Sequence, residues 1–330
     1  MKKALWIGML AALALAIGLG VSPAAAKTYR VSVGGGPTGG TFQYFANAMS
    51  VYVPKVFPDI KMSAEGSGGS AENVKRINAG DFDFGISYSG DIYLGALGQL
   101  PKDDKKYDKV RVMGYLYGAP AQLVVMKKSG VKSAKDLAGK KIAVGNAGSG
   151  AALSAERFFK HLGLWDKVEP QFLGYSAAAS AFKDGKIDAF WVLVGYPNAS
   201  IIEAATQDEI SLVNVGVEAE ASGFYKAFPF YAPSTIPANT YSGQTEAVKS
   251  FQDSTLLVCR AGLDEALVYN IMKAIWSPEG LDYMVKAHKA AKEMTIENGF
   301  TGASRPLAAG AAKFWAEQGK QIPDELKPTK

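Results

Sequence analysis

Residues 28–87 read TYRVSVGGGPTGGTFQYFANAMSVYVPKVFPDIKMSAEGSGGSAENVKRINAGDFDFGIS, and this stretch decides the class of fold. Its three short apolar runs are rich in β-branched and aromatic residues and predict strands. Two longer segments separate the runs and predict helices, the second between the N-cap Ser70 and the closing Gly80. Strand, helix, strand, helix, strand is the order of a parallel sheet with covering helices, so we expect an α/β fold. The strands are predicted at 28–33, 60–65 and 82–87, and the first helix at 41–52.

The same order of elements returns further along the chain and predicts a second α/β lobe. A weak internal repeat supports this division, because residues 78–84 (NAGDFDF) and 183–189 (KDGKIDA) each end a helix on glycine and then enter a strand. Chance is the alternative explanation of so short a repeat. The second set comprises predicted strands at 123–126, 141–145, 168–173 and 187–192, and predicted helices at 133–137, 150–162 and 177–183.

Two segments are suited to carry the chain between the lobes: 117–120 (YGAP) and 229–237, which is rich in proline and aromatic residues. We therefore divide the chain into a first lobe, residues 27–117 with 238–330, and a second lobe, residues 118–237. Two crossings between two lobes form a hinge, with a cleft between the lobes. The first lobe is completed by a predicted strand at 255–259 and by helices that start near 264, 278 and 306.

The composition excludes several classes of protein. The chain has 330 residues, of which 48% are hydrophobic and 20% charged, so it is too apolar to be disordered and long enough for two domains. A single cysteine, Cys259, excludes an internal disulfide framework and a zinc site built from several cysteines. Two histidines, His161 and His288, leave little material for a histidine metal cluster. The formal charge of +5 does not require a nucleic-acid partner. We expect no metal, no cofactor and no nucleic acid.

The N-terminal residues 1–26 have the pattern of a secretory signal peptide. Lys2 and Lys3 precede an apolar run at 4–21, and small residues at 24–26 form a cleavage site. Cleavage after residue 26 removes the two positive charges of these lysines and lowers the formal charge from +5 to +3. An uncleaved membrane anchor is the alternative, because the apolar run is long for a signal peptide. The mature chain is predicted to reach the periplasm. ATP and NAD are cytoplasmic compounds, so a function that needs either of them is disfavoured.

Glycine-rich loops follow the predicted strands and open the predicted helices. Residues 34–39 match the spacing of a dinucleotide-binding fingerprint, but Pro37 in the middle of the loop and the exported location disfavour NAD. A phosphate-binding P-loop is excluded, because Thr41 follows the last glycine where that motif requires lysine. The glycines therefore need another explanation.

The loops place backbone N–H groups and small hydroxyls at helix N-termini, which carry about half a positive charge and bind carboxylates or phosphates. In an open parallel sheet, ligands lie at the carboxyl ends of the strands, where all of these loops are expected. A tight turn with a capped helix is the alternative reading of any single loop. Four loops from two lobes favour an anion site in the cleft. The loops are 37–41, 66–70, 87–90 and 148–150.

Several motifs, which follow one another in order along nearly the whole mature chain, resemble the TAXI family (TRAP transporter-associated extracytoplasmic immunogenic proteins). Three of the glycine loops are among these motifs. The resemblance is therefore more specific than any one loop. The motifs are 36–42 (GPTGGTF), 65–73 (EGSGGSAEN), 77–80 (INAG), 144–150 (VGNAGSG), 184–191 (DGKIDAFW), 195–198 (GYPN), 236–244 (IPANTYSGQ) and 306–311 (PLAAGA).

The resemblance implies a type II periplasmic binding protein fold, with two α/β lobes, a hinge and a central cleft. It implies a periplasmic receptor that captures a small anionic ligand, a carboxylate such as glutamate, a 2-oxoacid or a dicarboxylate. The receptor delivers it to the membrane components of a TRAP-type transporter driven by an ion gradient. We expect a monomer. Carried over by motif, the ligand contacts fall on Thr38, Gly39, Gly40, Ser67, Ser89, Ser149 and Gly150, with Asp91 and Tyr196 as weaker transfers.

Phe42 departs from the family, which often has tyrosine just after its glycine-threonine loop. A secreted α/β enzyme is the main alternative function, and a surface antigen that binds no solute is another. His161 and His288 are predicted to be solvated surface residues, and Cys259 a buried thiol. Ser149 lacks a nucleophile elbow, so we find no catalytic constellation and predict that the chain is not an enzyme. Spacing leaves open whether any of four basic residues faces the cleft: Arg76, Arg111, Arg157 and Lys183.

Overall fold

Ten strands form one mixed sheet in the computed structural model, which describes residues 27–329. The predicted signal peptide, at 1–26, lies outside the described residues. Most strand residues are apolar and buried, as expected for a sheet that is covered on both faces. The strands are β1 (Tyr29–Gly34), β2 (Ile60–Glu65), β3 (Phe84–Tyr88), β4 (Val110–Met126), β5 (Lys141–Ala143), β6 (Glu169–Gln171), β7 (Ala189–Leu193), β8 (Ile210–Leu212), β9 (Tyr231–Ile236) and β10 (Val248–Arg260).

The strands lie in the order β2-β1-β3-β10-β4-β7-β5-β6, with β8 beside β4 and β9 beside β10. A group of parallel strands lies towards each end of this order. In one group β1 pairs with β2 and β3, and in the other β5 pairs with β6 and β7. These two groups confirm the predicted parallel sheet. The long strands β4 and β10 separate the groups and run antiparallel to their neighbours, which the sequence pattern did not predict.

Strands β4 and β10 run through both groups and connect them. The second half of β4, residues 121–125, pairs with β7, whereas its first half pairs only with β10. Likewise, residues 255–259 of β10 pair with β3, and the first half of β10 pairs with β9. The connection predicted at 117–120 therefore lies inside β4. Most of the segment at 229–237 forms β9, which pairs with the first half of β10.

Helices cover the two groups of strands. We call β1–β3 with the helices α1–α3 and α9–α11 the first lobe, and β5–β7 with α4–α8 the second lobe; the boundaries at 117 and 237 stay predictions. No helix among residues 27–329 is both long and apolar enough to cross a membrane. The helices are α1 (Thr41–Val56), α2 (Ser70–Ala79), α3 (Ser89–Leu97), α4 (Gly150–His161), α5 (Tyr175–Lys183), α6 (Ala199–Ala204), α7 (Val215–Ser222), α8 (Phe224–Ala227), α9 (Glu265–Ile275), α10 (Pro278–Ala287) and α11 (Ala309–Glu317).

The start of α2 differs from its prediction by one residue. Gly69, not Ser70, is the N-cap, with φ of 120° and ψ of −152°, a conformation that glycine alone adopts readily. The hydroxyl of Ser70 instead accepts a hydrogen bond from the Tyr88 N–H at 2.8 Å, and so ties α2 to the end of β3. The other prediction for this helix is confirmed, because Gly80 closes α2 in the left-handed conformation. The helix predicted at 133–137 is a short 3₁₀ turn.

The core is continuous between the two groups of strands. Trp191 on β7 is fully buried and donates its indole N–H to the Ser154 hydroxyl at 2.9 Å. Cys259 on β10 is also fully buried, and this burial raises the pKa of its thiol to about 12. The prediction of a buried thiol is confirmed, and at neutral pH this cysteine is not a thiolate.

Candidate functional site

The glycine loops bring several helix N-termini to one place. Helices α1 and α2 begin just after the carboxyl ends of β1 and β2, and α3 follows β3 directly. From the second lobe, α4 follows β5 and α5 follows β6. This is the edge of a parallel sheet at which ligands bind. The two lobes present these ends to each other across a cleft.

A narrow cavity lies between the lobes at this edge; it is partly open to solvent, and in this closed arrangement it has room for about one water molecule. Its walls come from the starts of α1, α2, α4 and α5, from the end of β3, and from the residue that follows β7. The turns that the sequence analysis singled out therefore share one crevice. The cavity is lined by Pro37, Gly40, Thr41, Phe42, Gly68, Gly69, Ser70, Tyr88, Asn146, Ser149, Gly150, Ala151, Tyr175 and Val194.

Backbone N–H groups at the cavity are left without acceptors. The caps of α1 and α2, Gly40 and Gly69, carry no side chain that could accept from the first turn. Within residues 27–329, the N–H groups of Thr41, Ser70 and Gly150 make no hydrogen bond. The first N–H groups of a helix lack intrahelical partners, so three helix starts direct unsatisfied donors and their partial positive charge to one cavity.

The side chains that line the cavity carry no charge. Spacing left open whether any of four basic residues faces the cleft, and one of them, Arg157, pairs with Asp91, which lies beside Gly150. Lys183 pairs with Glu203, and Arg76 with Glu72. The fourth, at position 111, lines a different pocket near the end of β10. An anion in this cavity would therefore be held by backbone dipoles and hydroxyls.

Direct contacts hold the two lobes together around the cavity. The Asn198 side chain, at the start of α6, donates to the Gly39 carbonyl at 3.0 Å. The Ser176 hydroxyl on α5 donates to the Thr38 carbonyl at 3.3 Å. The hydroxyl of Tyr88, from the first lobe, donates to the Leu193 carbonyl in the second. The structure therefore has the lobes closed on each other.

Three of the predicted site residues line the cavity: Gly40, Ser149 and Gly150. Ser149 is the N-cap of α4, because its hydroxyl accepts from the Ala152 N–H at 3.1 Å, and this leaves the hydroxyl proton free to donate to a ligand. A Cβ added to Gly150 would lie 2.5 Å from Asp91 Oδ2 and 2.8 Å from Ser70 Cβ. The absence of a side chain at position 150 is what lets α4 approach the first lobe.

The other predicted residues lie around the cavity rather than in its wall. Thr38 and Gly39 form the contacts between the lobes described above. Ser67 is turned towards the loop that follows β1, where its hydroxyl donates to the Gly35 carbonyl at 3.1 Å. The Ser89 hydroxyl donates to the Gly302 carbonyl at 2.5 Å, and Asp91 is buried in its ion pair.

Tyr196 lies apart from the cavity. It lines a second pocket together with Pro197, Asn239 and Glu293. Burial raises the pKa of the Tyr196 hydroxyl. The structure does not bring this tyrosine together with the other predicted contacts.

Several cavity residues were not predicted as ligand contacts. Phe42 packs against Tyr88, with ring centroids 4.8 Å apart, and the two rings form an apolar part of the wall. The hydroxyl of Tyr175 donates to the Leu193 carbonyl at 3.1 Å. Asn146 lies within the 144–150 motif, but the sequence analysis predicted no role for it. In this loop only the neighbouring glycines indicated a binding site.

His288 corrects an expectation, because it is not a solvated surface residue. Its ring packs near Phe45 of α1, with ring centroids 6.2 Å apart. The Ala290 N–H donates to Nδ1 at 3.1 Å, which assigns the ring proton to Nε2, 3.4 Å from the Thr41 hydroxyl. Burial lowers the pKa of His288 to about 4, so the ring is neutral at pH 7. The ring is shielded because α10 packs against α1. The basic residues on either side of His288 in the sequence indicated an exposed segment instead.

No group of three or more histidine, cysteine, aspartate or glutamate side chains among residues 27–329 is placed to hold a metal ion. The cavity therefore offers dipoles, hydroxyls and one side-chain amide for binding. Two lobes joined by long strands, with helix N-termini at the cleft, define the class as a periplasmic binding protein fold.

Similar structures agree with this class. A protein of Bordetella bronchiseptica RB50 has a TM-score of 0.53 and 19% identity, covering 91% of both chains. MatC of Rhodopseudomonas palustris, solved with bound malate, has a TM-score of 0.53 and 16% identity, covering 88% of this chain and 96% of its own. The periplasmic binding protein BugD has a TM-score of 0.52 and 12% identity, with the same coverage. The predicted fold class is confirmed.

The chain belongs to the NMT1-like family, whose model matches residues 33–319. The match spans both lobes and every helix start at the cavity. Another structure with this fold, at a TM-score of 0.51 and 15% identity, is described as a periplasmic transporter.

Proposed function

We propose that the chain is a periplasmic solute receptor of the TAXI type, which captures a small carboxylate and delivers it to a TRAP-type membrane transporter. The observation that carries the proposal is the meeting of three uncapped or glycine-rich helix starts at one cavity without a charged side chain. Such N-termini complement a carboxylate, whose charge they stabilise through N–H donors already in place.

The ligand class follows from the chemistry of the wall. The donors are backbone N–H groups with the hydroxyl of Ser149, and these favour an acceptor-rich anion. Phe42, Ala151 and Val194 supply apolar surface for a short carbon chain. An amino acid such as glutamate, a 2-oxoacid or a dicarboxylate fits this combination. Malate bound to MatC is a carboxylate on the same fold, which adds support by analogy alone.

The mechanism is a clamp. A ligand first meets the N-termini of α1 and α2 in the first lobe, and closure then adds the N-terminus of α4. Closure excludes water, so each hydrogen bond to the carboxylate gains strength. Micromolar affinity requires about −8 kcal/mol, and charge-assisted hydrogen bonds contribute about 1.5–3 kcal/mol each. Several such bonds meet that requirement after the costs of ordering.

The proposed location and the proposed transporter partner are supported by the sequence alone. The predicted signal peptide supports export to the periplasm, and the ordered motifs support the TAXI type over other receptors with this fold. We propose that the receptor acts as a monomer with one ligand. Purification of the protein with its transporter subunits would test the partner separately from the ligand.

The ligand is tested with the mature chain, residues 27–330. Thermal denaturation and calorimetry are run with propionate, lactate, pyruvate and alanine, and with glutarate, 2-hydroxyglutarate, 2-oxoglutarate and glutamate. A ligand at 100 times its Kd stabilises the protein by about 2.7 kcal/mol, which raises Tm measurably. The neutral amides lactamide and glutaramide are the controls. The proposal is overturned if no acid binds, or if the amides bind as tightly as the acids.

A further inference from the structure

We propose that Asn146 is the specificity-determining side chain of the cavity. Its carboxamide binds a polar substituent on the carbon next to the ligand carboxylate, so the site prefers 2-hydroxy, 2-oxo and 2-amino acids to unsubstituted acids. This inference rests on the proposed function and deepens it, because hydrogen bonds to the carboxylate alone do not distinguish substituted from unsubstituted acids.

Most other polar side chains of the wall already make at least one hydrogen bond within the protein, although the protons of the Ser70 and Ser149 hydroxyls stay free to donate. The Ser70 hydroxyl accepts from the Tyr88 N–H at 2.8 Å, and the Ser149 hydroxyl from the Ala152 N–H at 3.1 Å. The tyrosine hydroxyls at positions 88 and 175 both donate to the Leu193 carbonyl. The Thr41 hydroxyl lies 3.4 Å from Nε2 of the half-buried His288.

Asn146 is different, because its side-chain amide makes no hydrogen bond to any of residues 27–329. The residue lines the cavity and is half-buried. A carboxamide offers two donors and an acceptor with two lone pairs. It can therefore donate to an oxo group, accept from an ammonium group, and do either with a hydroxyl group.

The position of Asn146 suits a substituent close to the carboxylate. Its backbone carbonyl accepts from the Ser149 N–H at 3.0 Å, which holds Asn146 in the turn that presents the first N–H groups of α4. A carboxylate on those N–H groups puts its neighbouring carbon within reach of the same turn. Across from it, a Cβ on Gly174 would lie 3.0 Å from Asn146 Oδ1, so the glycine leaves room for the amide.

Asn146 comes from the second lobe, whereas the N-termini of α1 and α2 belong to the first. Closure is therefore the step that brings the amide to the substituent. A ligand without the substituent lacks the hydrogen bond to the amide and therefore binds more weakly. Selection would thus occur during closure and not during first contact.

The test compares the wild type with Asn146→Leu, which keeps the approximate volume and removes the hydrogen bonds. Both are titrated by calorimetry with propionate, lactate, pyruvate and alanine, and with the glutarate series. We expect the wild type to bind its best substituted acid at least about tenfold more tightly than the matched unsubstituted acid. In Asn146→Leu that preference disappears, while affinity for the unsubstituted acid stays within about threefold.

Two results would overturn the assignment. One is an equal loss for substituted and unsubstituted acids, which would mean that Asn146 only supports the loop. The other is an unchanged preference, which would mean that it does not touch the ligand. Asn146→Ser provides a second variant if the leucine variant fails to fold, and it should reduce the same preference. Failure of the wild type to bind any acid would overturn the proposed function, whereas binding without preference overturns only this inference.

Discussion

The guanidinium Nη2 of Arg157 lies 3.0 Å from Oδ1 of Asp91, and this ion pair joins α4 of the second lobe to α3 of the first. The two side chains are only 8% and 1% exposed. The second oxygen of the aspartate, Oδ2, has no hydrogen-bond partner within residues 27–329. Because this buried ion pair spans the cleft, it stabilises the closed position of the lobes only while both charged side chains are present.

Arg157→Met should favour the open form. The substitution leaves the Asp91 carboxylate buried without its partner, and breaking a buried pair in this way costs about 3–5 kcal/mol. Opening the cleft returns water to the carboxylate. We expect a larger radius of gyration by small-angle X-ray scattering and weaker binding of carboxylates. The double variant Arg157→Met with Asp91→Leu is the control, and it should regain much of the closed form. A single variant as compact as the wild type, with the same affinity, would contradict the role of the pair.

Gly150→Ala should prevent closure while leaving each lobe folded. The added Cβ would lie 2.5 Å from Asp91 Oδ2 and 2.6 Å from the Tyr88 ring, and both atoms belong to the opposite lobe. We expect at least a hundredfold loss of carboxylate affinity in calorimetry, with an unchanged circular dichroism spectrum; that loss corresponds to about 2.7 kcal/mol. Gly66→Ala is the matched control, because no atom lies within 4 Å of its added Cβ. Equal affinities for the two variants would show that the lobes do not meet here when ligand is bound.

Ser149→Ala should weaken both α4 and ligand binding. Loss of an N-cap hydroxyl costs about 1 kcal/mol of folding stability. Loss of a buried bond from the hydroxyl to the ligand costs a further 1–3 kcal/mol of binding, roughly 5- to 150-fold in Kd. Ser277→Ala is the matched control, since Ser277 caps α10 in the same way, with its hydroxyl 3.0 Å from the Gly280 N. Ser277→Ala should lose stability alone. If Ser149→Ala also binds normally, the hydroxyl is not part of the site.

His288 should make the protein less stable in acid. Its pKa is lowered to about 4, against a usual value of about 6.5, so between these values the unfolded chain binds a proton that the folded chain does not. Stability therefore falls as the pH drops through this window, by about 3 kcal/mol from this residue. Urea denaturation of wild type and His288→Gln between pH 7 and pH 4 measures the difference. The variant should show a shallower fall, and parallel curves would contradict the assignment. His161→Gln is the control.

The parallel groups could be predicted from the sequence because local pattern and turn chemistry agree there. Residues 28–87 contain complete strand and helix signals, and Gly80 ends α2 as expected. The long strands β4 and β10 could not be predicted in the same way. Strand β4 is apolar without alternation, β10 mixes polar and apolar residues, and the pairing of the two strands joins positions more than a hundred residues apart. Such pairing depends on the tertiary fold, which a local pattern does not record.

The site was predicted at the level of loops but not of side chains. Glycine patterns placed Gly40, Ser149 and Gly150 at the cavity, because the N-terminus of a helix has a local sequence signal. No local sequence pattern indicates whether a serine hydroxyl faces a ligand or bonds to a backbone group of the protein. Ser67, for example, donates to the Gly35 carbonyl. Asn146 was missed for the same reason. An unpaired side-chain amide is recognised only when its neighbours in space are known.

The central claim is that backbone N–H groups from both lobes hold a carboxylate. A crystal structure of the mature protein with its tightest-binding acid tests this most directly. The account predicts carboxylate oxygens about 2.7–3.2 Å from backbone nitrogens at the starts of α1, α2 or α4, with no lysine or arginine in contact. A carboxylate paired with a basic side chain, or a ligand bound outside the cleft, would contradict it.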